Sequence, residues 1–78
     1  MNQEAHKKPS LVDEIIDGIG ELELAKLCEL HQSSIQAWRQ NGIPEKKNFW
    51  AIVIENSVPR LTAAEILLAN YQIRNQIS

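Results

Sequence analysis

The chain is predicted to be all-α, a compact bundle of five short helices on one core, and three observations carry that expectation. Apolar residues recur at helical spacing, beginning with Leu11, Val12, Ile15, Ile16 and Ile19. Start signals (Ser10, Pro44, Thr62) and stop signals (Gly20, Asn41-Gly42, Asn56) cut the chain into short segments. A length of 78 residues with 44% hydrophobic content suits one modest core and excludes two domains.

Residues 1–9 are polar and end at Pro9, which reads as a flexible arm ahead of a folded domain spanning 10–78. Ser10 precedes LVDEIIDGIG, whose first turn carries acids, so a first helix runs to Gly18 or Gly20. Leu24, Leu27 and Cys28 line one side of a second helix from Glu21 to Glu29. A third, from about Gln32 to Gln40, turns Ile35 and Trp38 inward and closes on Asn41-Gly42. Pro44 suits the first position of a fourth helix, where its missing N–H has no partner to lose, and the body of that helix is EKKNFWAIVIEN. The run FWAIVI also has the pattern of a buried strand, but Pro44 ahead of it and Asn56 behind it favour helix. Thr62 and Glu65 form a capping box behind apolar Leu61 and open a fifth helix to about Asn75. On that helix Ala64, Leu67, Leu68 and Tyr71 are expected to pack on helices one and four. Ile66, Ala69, Ile73 and Ile77 remain as a second stripe, which a second copy of the chain would cover across a two-fold axis.

Several function classes find no support in the residues. No apolar run has the length of a membrane span or of a signal-peptide core, and a cytoplasmic location is expected. Cys28 is the single cysteine and His6 and His31 are the two histidines, so neither an internal disulfide nor a metal site is expected. With no Gly-rich phosphate loop and no Ser, His and acid arrangement, the chain is not expected to be an enzyme or to use a cofactor or small-molecule ligand. Cys28, Trp38 and Trp50 read as core residues. The net charge of −2 argues mildly against nucleic acid, although for groove binders its distribution matters more. Residues 10–29 hold six acids against Lys26 alone, whereas residues 30–60 hold Arg39, Lys46, Lys47 and Arg60 against Glu45 and Glu55.

The stretch AKLCELHQSSIQAW, residues 25–38, fits a helix-turn-helix. Such a motif needs apolar residues where its helices press together, a small residue at the crossing and a tight turn. Leu24, Cys28, Leu30, Ile35 and Trp38 supply the first and Ala25 the second. Here the chain resembles the phage Cro and C-type repressors and related small bacterial regulators, a lambda-repressor-like family. In many of these an Ala-Lys pair precedes a core Trp by the interval that separates Ala25-Lys26 from Trp38, and GIPEKKNFW and LTAAEILLAN look like the continuation. The resemblance covers roughly residues 11–70.

It implies a repressor that occupies a palindromic DNA operator as a dimer. Gln32, Ser33 and Gln36 would read bases, with His31, Ser34 and Arg39 at the edges and Lys46 and Lys47 beside the phosphate backbone. The chemistry suits these residues independently, since Gln pairs bidentately with adenine, Ser serves several bases and a helix N-terminus points amides at phosphate. Two positions depart from the family pattern. Glu29 stands in the turn where Gly is common, and Glu21 with Glu23 opens helix two where relatives often donate to phosphate. A competing expectation is a small acidic protein-interaction module, inhibitor or antitoxin-like, that uses the same scaffold; net charge favours it.

Overall fold

A computed structural model describes residues 9–75, and among these it contains five helices and no strand: α1 (Leu11–Ile19), α2 (Glu21–Cys28), α3 (Gln32–Asn41), α4 (Phe49–Asn56) and α5 (Ala63–Arg74). Most of the expected arm and the expected interface residue Ile77 lie outside the described residues.

Local chemistry explains the boundaries. At the start of α1 the buried Ser10 hydroxyl accepts from the Asp13 N–H at 3.0 Å, while the Asp13 carboxylate accepts from the Ser10 N–H at 3.0 Å. Two otherwise unmatched amides are thereby satisfied. Thr62 and Glu65 make the same reciprocal pair at the start of α5, as expected. Of the two glycines that could stop α1 it is Gly20, at φ 106°, that ends it and also opens α2.

α1 lies against all four other helices. Val12 and Ile16 from α1, Leu24, Ile35, Val53, Ile66 and Ala69 are fully buried around it, with Cys28 and Trp38 also in the core. The Trp38 and Phe49 rings meet at 5.2 Å with a 49° tilt, a geometry that aromatic pairs favour.

Two expectations are corrected. First, α4 begins at Phe49, so Pro44 is not a helix start and Lys46 and Lys47 lie in a turn ahead of the helix. The reason is a clamp on Ile43. Asn70 of α5 accepts from the Ile43 N–H and donates to its C=O, both at 2.9 Å, and the Trp50 indole donates to the same carbonyl at 3.1 Å. These bonds hold the chain in a non-helical path after α3, and a turn at Lys47, φ 53°, then leads into α4. Gly42 is required there: at φ 98° its missing Cβ would sit 2.9 Å from the Asn70 Oδ1 atom.

Second, the two faces of α5 are exchanged. Ile66 and Ala69 are 0% exposed in the chain's own core and Ile73 is half-buried against it, so these three do not form an interface stripe. Leu67, Leu68 and Tyr71 face solvent at 58, 60 and 62% exposure, with Ala64 beside them. Small Ala69 permits α5 to approach closely, and β-branched Ile66 and Ile73 fill the space on either side of it.

Candidate nucleic-acid interface

α2 and α3 are joined by three residues, Glu29 to His31. Glu29 adopts the left-handed conformation, φ 59° and ψ 45°, even though it is not glycine. Its N–H donates to the Lys26 carbonyl at 3.1 Å and the Leu30 N–H donates to the Ala25 carbonyl at 2.9 Å, which matches the last unpaired carbonyls of α2 and reverses the chain within one residue. The turn therefore keeps the shape in which glycine is usual, at a backbone cost of roughly 1 kcal/mol. Leu30 packs against the core behind it.

That turn fixes which side of α3 faces outward. Ile35 and Trp38 are buried, whereas Gln32, Ser33, Gln36, Ala37 and Gln40 are exposed. Gln32, Gln36 and Gln40 stand four residues apart and form one carboxamide stripe along the helix. The first two were expected on this face. Gln40 was missed, although its spacing from the other two is visible in the sequence. Ser34 is half-buried at the margin of the face. His31 is the residue before α3; it is exposed, and its side chain makes no capping bond. The first-turn amides of α3 thus lack the side-chain acceptor that Ser10 and Thr62 provide for α1 and α5. Lys46 and Lys47 are exposed and, among the described residues, make no ion pair.

Arg39 requires a correction, because it does not stand at the edge of this face with an available charge. Its guanidinium donates to Asp13 at 2.8 Å and to Asp17 at 2.6 Å, both on α1, and lies 3.6 Å from Glu21 at the start of α2. The bonds to Asp17 and then Asp13 push its pKa further up. Burial acts to raise the Asp13 carboxyl, but the bonds from Arg39 and Ser10 together outweigh it and hold that group below its ordinary value. Glu21 contributes its other oxygen as a buried atom without a hydrogen-bond partner among the described residues. Asp13 and Asp17 of α1, with Glu21 at the start of α2, thus serve as the receptor for Arg39, and α3 is left with an uncharged outer face.

The exposed Leu67, Leu68 and Tyr71 of α5 form a ridge between two grooves. One, of about 440 Å³, lies between α1 and the loop that leads into α5 and includes Leu11, Ile15, Val58, Leu61 and Leu68. The other, of about 420 Å³, lies beside the clamped Ile43 and includes Ala37, Pro44, Trp50 and Tyr71. Burial raises the Cys28 thiol and keeps it protonated, as befits a packing residue. Among the described residues no cluster of His, Cys, Asp and Glu has the arrangement to hold a metal ion, and no helix is long and apolar enough to cross a membrane.

No protein-family model matches the chain, and no curated protein or solved structure matches it.

Proposed function

We propose that the chain is a sequence-specific DNA-binding regulator, a Cro-like repressor of cytoplasmic location that occupies a palindromic operator as a dimer, without a cofactor and without enzymatic activity. The observation that carries this reading is the outer face of α3. A three-residue turn projects a helix whose exposed polar residues include Gln32, Ser33, Gln36 and Gln40, groups with both donors and acceptors, from an N-terminus lacking a side-chain cap. α3 enters the major groove, its open amides take a phosphate, and Gln32, Ser33 and Gln36 reach base edges with His31 and Ser34 at the margin. Lys46 and Lys47 lie against the backbone and fix the register. The two-fold axis runs through the α5 ridge, where Leu67, Leu68 and Tyr71 cover their own copies and set two α3 helices one DNA turn apart.

One observation favours a second reading. With Arg39 held by α1, the chain offers few cations to phosphate, and three exposed large apolar side chains, Leu67, Leu68 and Tyr71, lie together on α5. A protein-interaction module would use that ridge to bind a different protein. Selection of bound sequences from random duplex DNA separates the two: a two-fold motif is expected for the regulator, and an unenriched pool would refute it and favour the interaction module.

A further inference from the structure

We infer that α3 reads A·T base pairs, with no obligatory G·C pair beneath the helix, because the one guanidinium it carries is withheld on α1. The inference rests on the DNA-binding reading above and narrows its substrate class. Guanine presents two adjacent acceptors to the major groove, and Arg or Lys is the usual reader of that edge. α3 has a single Arg and no Lys, and that Arg39 is bonded to Asp13 and Asp17, with its side chain 25% exposed. Every other long side chain on the outer face is a carboxamide: Gln32, Gln36 and Gln40. A carboxamide offers one acceptor beside its donors, which matches the N7 acceptor and N6 donor of adenine; on guanine itself its oxygen finds no donor. Ala37, exposed between these residues, presents a methyl of the kind that packs on the thymine methyl.

The geometry gives this a length. Along the helix Gln32 and Gln40 are separated by about 12 Å at 1.5 Å per residue. That is between three and four base-pair steps at roughly 3.4 Å each. Asp13 and Asp17 act in this scheme as positioning residues. By holding Arg39 they keep a guanine-reading group off a surface otherwise suited to adenine and thymine.

The test compares motifs selected from random duplex DNA by the wild-type protein and by Gln36→Ala and Gln36→Arg, both at an exposed position and both checked for an unchanged melting transition. Wild type is expected to enrich A·T pairs at the positions that respond to Gln36. Gln36→Ala is expected to lower discrimination at one such position by about tenfold to a hundredfold. Gln36→Arg is expected to turn that position to G·C while its neighbours keep their preference. A wild-type motif that requires G·C at the positions responding to Gln36 overturns the inference and leaves the DNA-binding reading standing. So does a motif whose preferences are untouched by Gln36→Ala. A wild-type pool with no motif at all overturns the reading and the inference together.

Discussion

Replacing Arg39 by Met keeps the apolar stem and removes the guanidinium, which separates its structural role from a role on phosphate. The Arg39 bond to Asp13 joins two side chains that are each about one quarter exposed, at 2.8 Å, whereas the Asp17 partner is 63% exposed and more strongly screened. Exposed pairs contribute about 0.2–1 kcal/mol, so the Asp13 pair belongs near the top of that range and the Asp17 pair near the bottom. The substitution also leaves Asp13 and Asp17 as like charges one helical turn apart, at a further cost of about 0.2–0.5 kcal/mol. Together the loss is expected to be about 1–2 kcal/mol, or roughly 5–15 °C in Tm for a domain of this size. Urea and thermal denaturation at pH 7 read it directly. The coupling is expected to shrink in a double-mutant cycle with Asp17→Asn, which removes one of the two stranded charges. DNA titration supplies the opposite arm. With Arg39 withheld, Lys46 and Lys47 of two protomers neutralise about four phosphates, for a log-log salt slope near −3.5 in wild type and in the variant alike. If stability is unchanged and the slope falls by about two units per dimer, Arg39 is a phosphate contact and the assignment to α1 is refuted.

Other expectations follow from the same contacts. Because Asp13 titrates below its ordinary value in the fold, its contribution is fully present above the unfolded carboxylate range and is lost as pH falls through the folded value; Asp13→Asn is expected to flatten the acid limb of a stability–pH curve, and an unchanged limb would contradict the pairing. Asn70→Ala leaves the Ile43 N–H without its partner while the Ile43 carbonyl keeps Trp50, so a loss of about 2 kcal/mol is expected in urea denaturation, and a neutral result would mean that the clamp does not hold the segment after α3. Glu29→Gly removes left-handed strain of roughly 1 kcal/mol at an exposed position, and the glycine's unfolded-state entropy offsets about half of it, for a net gain of about 0.5 kcal/mol; a loss would mean that the Glu29 side chain contributes more than its backbone costs. Leu67→Glu with Leu68→Glu is expected to give a folded monomer that binds DNA weakly, and a wild-type protein that sediments as a monomer at tens of micromolar, roughly where modest interfaces assemble, would rule out the α5 dimer.

The parts of the fold that depend on neighbours in sequence were legible. Thr62 with Glu65, Gly20, and Asn41-Gly42 each mark a boundary through chemistry confined to a few residues, and the helical period of Ile35 and Trp38 orients α3. Pro44 misled because proline serves extended segments as readily as helix starts, and what decides the matter is Asn70, which reaches Ile43 from 27 residues away. α5 misled for a different reason. It carries apolar residues on both sides, Ile66, Ala69 and Ile73 on one and Ala64, Leu67, Leu68 and Tyr71 on the other, so periodicity admits either face as core. At the candidate site the outward residues of α3 follow from the same spacing that buries Ile35 and Trp38. The charge on that face does not, since Arg39 is neutralised by Asp13 and Asp17, which precede it by 26 and 22 residues and meet it only when α1 packs on α3.

The proposed function requires that the outer face of α3 be the surface that meets DNA. It is tested most directly by following each amide of isotope-labelled protein by nuclear magnetic resonance as a mixed-sequence duplex is added at low salt. Shifts are expected to concentrate on the backbone of Gln32 to Gln40, on the side-chain amides of Gln32, Gln36 and Gln40, and on Lys46 and Lys47, with the outer side of α1 unmoved. Shifts confined to the α5 ridge and its flanking grooves, or none at any duplex concentration, would contradict it.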